Sequence, residues 1–172
     1  MKAQKTTLQK LAELLALVML GVLLNVLDAI FALLPNIEFI TPLLIVYTYK
    51  FGIKALIPAY IYAAIEIFLY GISMWNIMYL YVWALLVLIA LPLVKIKKRV
   101  ITAFVLPTFA GVYGLCFGSL CSIPYFFAIG PEYAVSWIIS GFSFDVIHAV
   151  SNFLTTLCLY IPLTKVLDKV KI

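Results

Sequence analysis

The stretch Phe142–Leu163, FSFDVIHAVSNFLTTLCLYIPL, limits the possible folds more than any other part of the chain. It is long and apolar enough to cross a bilayer, where backbone polar groups must be satisfied within a helix or a closed barrel. Barrel strands alternate apolar and polar residues, and this segment is continuously apolar, so it reads as a helix. Asp145, His148 and Asn152 then fall at i, i+3 and i+7 and stack on one face. Ionisable groups inside a span normally face a bundle interior or a water-filled cavity. The three residues therefore read as the wall of a polar pocket, or as polar glue that pins one helix to its neighbours.

The rest of the chain repeats the pattern. With 66% hydrophobic and 11% charged residues and a mean hydropathy of +1.19, it lies far from soluble proteins, where about one residue in four is charged. The class is an all-α integral membrane protein, a single membrane domain over residues 1–172. Cys116, Cys121 and Cys158 lie in apolar runs without the spacing of a zinc site or a disulfide framework, and read as small packing residues.

Six transmembrane helices are predicted, over residues 11–34, 42–50, 55–71, 77–94, 101–127 and 139–163. The first is too long for a signal-peptide core and lacks an A-x-A site, so it is expected to stay in the mature chain. The second is short for a crossing. Pro35 ends the first, the run Lys95, Lys97, Lys98 and Arg99 ends the fourth, and Gly71 to Asn76 and the segment around Pro131 and Glu132 read as loops. Gly114-x-x-x-Gly118 in the fifth is a spacing that lets helices approach closely.

Charge sets the expected orientation. With six spans, the twelve basic residues, among them Lys2, Lys5, Lys10, Lys50, Lys54, Lys165, Lys169 and Lys171, all fall on one side. The positive-inside rule makes that side, and both termini, cytoplasmic. The net charge of +5 thus reports topology, and no basic groove for nucleic acid is expected.

This topology gives the polar residues a common address. Asn25, Asp28, Glu66, Asp145 and His148 fall in the outer half, and Asn36, Glu38, Trp75, Asn76, Tyr79 and Tyr125 lie at the same outer level. Together with Asn152 they are the candidate substrate-binding residues of an outward-facing cavity, mostly apolar with a few placed polar groups. The competing reading of Trp75 and its aromatic neighbours is as interface anchors. On the first helix Ala12 and Ala16 form a small-xxx-small strip about 170° from Asn25 and Asp28. Such a strip suits close packing of a partner helix or of a helix within the chain, and Ala55, Ala59 and Ala63 offer a second one.

Catalytic signatures are missing: the chain has no H-E-x-x-H, no G-x-S-x-G and no P-loop, and its single histidine argues against a multi-His metal site. Asp145 and His148 are an acid/base pair in principle, without a Ser or Cys nucleophile that stands out beside them.

The size, the six spans, Ala12-x-x-x-Ala16, PNIEFITP at Pro35–Pro42, WNIMYLYVW at Trp75–Trp83 and FDVIHAVSNF at Phe144–Phe153 resemble the substrate-binding S component of energy-coupling factor (ECF) vitamin transporters. They are most similar to the branch that includes the cobalamin-specific S component. The resemblance implies a non-enzymatic subunit of the bacterial plasma membrane that captures a vitamin from outside. It would dock through Ala12 and Ala16 on a transmembrane T component joined to two ATPases, with ATP on those partners and no cofactor of its own. Cobalamin is the first ligand it implies. A thiamin precursor would suit the carboxylates Asp28, Glu66 and Asp145, whereas anionic pantothenate would need their charge compensated. A small intramembrane enzyme using Asp145 and His148 is the alternative of a different class.

Overall fold

The computed structural model describes residues 6–34, 37–96 and 99–170. Lys2, Lys5, Pro35, Lys97, Lys98 and Lys171, which entered the expectations above, lie outside the described residues. The described chain is helical: α1 (Thr7–Phe31), α2 (Ile40–Phe51), a 3-10 turn (Gly52–Ala55), α3 (Leu56–Tyr70), α4 (Met74–Leu93), α5 (Arg99–Leu115), α6 (Phe117–Cys121), α7 (Ile123–Ala128) and α8 (Pro131–Lys169). Among the described residues, four helical stretches are long and apolar enough to cross a membrane, Thr7–Phe31, Ile40–Tyr70, Met74–Leu93 and Pro131–Lys169, and a fifth if the bent pair α5 and α6–α7 counts as one.

Helix ends follow local chemistry. Thr6 caps α1, its side chain accepting from Gln9 N while Gln9 returns a bond to Thr6 N, a capping box. Ser73 caps α4 and accepts from Asn76 N, so this helix begins at Met74 and takes in Trp75 and Asn76, which the sequence placed in a loop. Gly52 (φ +59°) and Gly71 (φ +80°) end α2 and α3 in the left-handed region open to glycine. Gly52 therefore splits the apolar stretch Ile40–Tyr70 in two.

Side-chain contacts show how these helices run. Phe31 and Phe39 place the start of α2 beside the end of α1, and Lys54 bonds Glu13 near the start of α1 at 2.8 Å. The chain thus returns along α1 through α2, although α2 has only 12 residues. Gly21 then meets Ile61, and Asn25 meets the Tyr62 carbonyl, so α3 runs parallel to α1.

Two further boundaries differ from the sequence reading. The segment expected as one span over 101–127 breaks at Cys116 and again at Ser122, with a bend of 47°. At the first break the Gly118 N–H, which a continuous helix would give to Gly114, donates to Asp145 Oδ1 at 3.0 Å. At the second, Pro124 has no N–H for the Leu120 carbonyl, and the Tyr81 hydroxyl donates to that oxygen at 2.6 Å. The last helix is 39 residues long and starts at Pro131, where a loop was expected, because proline suits the first turn of a helix.

The tightest pairing is α5 against α8. A Cβ on Gly114 would stand 2.9 Å from the His148 carbonyl oxygen, and one on Gly118 would collide with the Asp145 carboxylate. The close approach read from Gly114-x-x-x-Gly118 is thus present. The core is built from α2, α3 and α4, with Leu44, Ile45, Tyr62, Val82 and Leu86 fully enclosed.

Candidate functional site

The expected site residues fall into two groups joined by a row of aromatic rings. The first group lies between α1, α3 and α4. Tyr62, fully buried, donates from its hydroxyl to Asp28 Oδ2 at 3.3 Å, and its carbonyl accepts from Asn25 Nδ2 at 3.5 Å. One turn on, Glu66 is also buried. Tyr79 packs on Tyr62 with 5.5 Å between ring centroids, and its hydroxyl accepts from Trp75 Nε1 at 2.9 Å. Asp28 thus meets a tyrosine that packs into a tyrosine and tryptophan floor, with Glu66 one turn beyond it. Asn76 is buried too, but its amide donates to the Gly71 carbonyl at 2.7 Å, which makes it a clasp for the α3–α4 corner.

The second group lies where α8 meets α2 and α6. Glu38 is the hinge: Oε1 is 3.1 Å from His148 Nε2, and Oε2 accepts from Thr41 N at 2.8 Å, tying the connection before α2 to the middle of α8. Burial alone would raise the Glu38 carboxyl, but the His148 ring and then the Thr41 N–H outweigh it and hold the group below its ordinary value. Asp145 turns to α6 instead and accepts from Gly118 N. Asp145 and His148 thus serve different partners.

Asn152 is 0% exposed, and among the described residues neither end of its amide has a partner, nor does the Thr156 hydroxyl one turn below. All the buried residues of α8 from Asp145 to Thr164 are polar or tyrosine: Asp145, His148, Asn152, Thr156, Tyr160 and Thr164. The face read from i, i+3 and i+7 spacing therefore exists and continues past the segment that suggested it. Burial places it inside the bundle.

Between the two groups, Tyr62, Tyr79, Trp83, Phe117 and His148 form a continuous row with centroid separations of 4.7 to 5.8 Å from Tyr62 to His148. Beyond Trp75, Tyr125 stacks on Trp137 at 4.4 Å, and Trp137 meets Trp75 at 6.3 Å. Asn36 lies outside the described residues. Tyr62, Trp83 and Phe117 were not expected as site residues. Tyr62 precedes Glu66 by four positions and Trp83 follows Tyr79 by four, a helical spacing that announces both, whereas no local signal marks Phe117.

Ala12 is exposed and Ala16 half-buried on α1, while Glu13, Leu17, Gly21 and Leu24 form its buried face. No family model, no curated protein and no solved structure matches this chain.

Proposed function

We propose that this chain is the S component of an ECF-type vitamin importer in the bacterial plasma membrane, crossing it six times with both termini in the cytoplasm. Lys10, Lys50, Lys54, Lys95, Lys165 and Lys169 stand at the ends where α1 and α5 begin and α2, α4 and α8 finish, which supports that orientation. The observation that carries the reading is the acid and aromatic cluster of Asp28, Tyr62, Glu66, Trp75 and Tyr79 at the opposite, outer end. Capture from outside needs such placed polar groups on an apolar floor. Exposed Ala12 and half-buried Ala16 on α1 are the proposed docking strip for a T component joined to two ATPases.

Cobalamin is the ligand the resemblance puts first. A second reading, a cationic vitamin precursor of the thiamin type, is favoured by Asp28 and Glu66. Asp28, bonded to the Tyr62 phenol, and Glu66, one turn on from Tyr62, would gain from a cation placed between them. The intramembrane-enzyme reading is weakened because Asp145 and His148 are held by different partners.

Mass spectrometry of the small molecule retained by the purified protein tests the ligand, with co-purification of a T component and ATPases as the test of the complex. Ala12→Trp or Ala16→Trp should abolish that co-purification and uptake while leaving vitamin binding intact. Loss of binding in parallel would make the strip an internal packing surface and defeat the docking role.

A further inference from the structure

At the end of the molecule opposite the acid and aromatic cluster, Tyr49, Thr102, Tyr160, Thr164, Lys165 and Asp168 line a cavity of about 290 Å³ between the ends of α2, α5 and α8. That volume sits at the lower limit of small-ligand pockets. Tyr49, Lys165 and Asp168 are exposed at its mouth, and Thr164 is buried. The Tyr49 hydroxyl donates to Asp168 Oδ2 at 3.1 Å, and the Tyr49 ring is braced edge-on by Tyr160 at 6.1 Å, so the carboxylate is held in place. The Thr164 hydroxyl gives its proton to the Ile161 carbonyl at 3.0 Å. With their protons committed, Tyr49 and Thr164 present oxygen lone pairs, so these two and Asp168 act as acceptors. Lys165 supplies a cationic donor three residues from Asp168 on the same helix, within reach of one bound molecule.

We propose that this cavity binds a zwitterion carrying a primary ammonium and a phosphate, and that its source is the headgroup of phosphatidylethanolamine. The ammonium donates to Asp168, Tyr49 and Thr164, and the phosphate meets Lys165. Position selects the lipid over a free solute. The cavity lies at the end where the basic residues gather, and Phe104 (66% exposed) and Val166 (58% exposed), next in sequence to the lining residues Ala103 and Lys165, offer apolar surface for acyl chains. The proposal rests on the membrane reading above and, for the leaflet, on its orientation. It needs no vitamin and no partner subunit.

The full chain in nanodiscs of equimolar phosphatidylethanolamine, phosphatidylcholine and phosphatidylglycerol, released for native mass spectrometry, is the test. Retained phosphatidylethanolamine should exceed phosphatidylcholine roughly tenfold, since a trimethylated ammonium cannot donate to Asp168. Asp168→Asn should abolish that preference and Lys165→Gln should lower retention of every phospholipid, with melting temperatures checked to confirm folding. Tyr49→Phe, which frees Asp168 without removing its charge, should reduce the preference only in part. Equal retention of phosphatidylcholine overturns the proposal, as does a phosphatidylglycerol excess that survives Asp168→Asn, the mark of bulk charge attraction. A soluble phosphoethanolamine arm in detergent separates the sources: stabilisation equal to that by the lipid overturns the assignment to a headgroup. Vitamin binding at Asp28 and Glu66 is read in a separate experiment, so either reading can fail alone.

Discussion

The α1–α3–α4 end and the α5–α8 seam both bury carboxyls in an apolar bundle, but they hold them in different ways. Asp145 is spent on backbone: it takes the Gly118 N–H that α6 withholds from its own ladder, at a point where glycine lets two helices nearly touch. Asp28 is held by a single phenol at 3.3 Å, and buried Glu66 lies one turn on from that tyrosine. A carboxylate that completes a backbone break is part of the fold, and moving it costs the break its partner. Two acids against aromatic faces are completed better by a cation from outside. The comparison assigns stability to the α5–α8 seam and, on the proposed function, ligand capture to the α1–α3–α4 end, although residue type alone made them equals.

The largest effect should come from the seam. Gly114→Leu places a side chain against the His148 carbonyl and Ala149 N, where even a Cβ would stand at 2.9 to 3.0 Å. Overpacking of this kind costs about 3 kcal/mol or more, and folded monomer after size exclusion should largely disappear. Next, Asp145→Ala leaves the Gly118 N–H unsatisfied and should lower stability by about 2 kcal/mol in a ligand-free melting curve, with affinity barely changed. An affinity loss with unchanged melting would move Asp145 into the site and break the comparison.

Asp28→Asn should do the reverse. Affinity for a cationic vitamin falls by about 1 to 2 kcal/mol in calorimetric titration, the worth of one charge-assisted contact, while melting hardly moves. Unaltered binding of such a cation would remove the second ligand reading and sharpen the case for cobalamin.

The smallest effect concerns Glu38. Its carboxyl lies below the ordinary value in the folded chain, so its pairing with His148 and Thr41 contributes stability that is full above the unfolded value and lost as pH falls through the folded one. A modest drop in melting temperature should therefore appear on the acid side of the carboxylate range. Glu38→Gln should flatten it; a drop of the same size in that variant would place the titrating group elsewhere.

Much of this molecule was legible in its residues, for reasons of scale. A bilayer demands long apolar helices, so class and approximate element positions follow from hydropathy, and i, i+3, i+7 spacing sets the shared face of Asp145, His148 and Asn152 without any partner in view. Gly114 and Gly118 announced a close approach because nothing else about glycine favours a helix interior. Local capping at Ser73 and Pro131, by contrast, moved two boundaries that hydropathy alone misplaced.

What a side chain does once buried depends on which neighbour reaches it, and that is long-range information. Nothing within several residues of Leu120 tells that Tyr81, 39 positions earlier, satisfies its carbonyl, or that Glu38 pairs with His148 across 110. The same holds for the division of labour among the acids. The sequence by itself determined an all-helical, membrane-compatible chain with a polar face on its last helix, because those properties are periodic and additive along the chain. Only the tertiary structure decided that Asp145 closes a helix break while Asp28 takes the Tyr62 phenol, because hydrogen bonds act over about 3 Å and only packing brings the partners that close together.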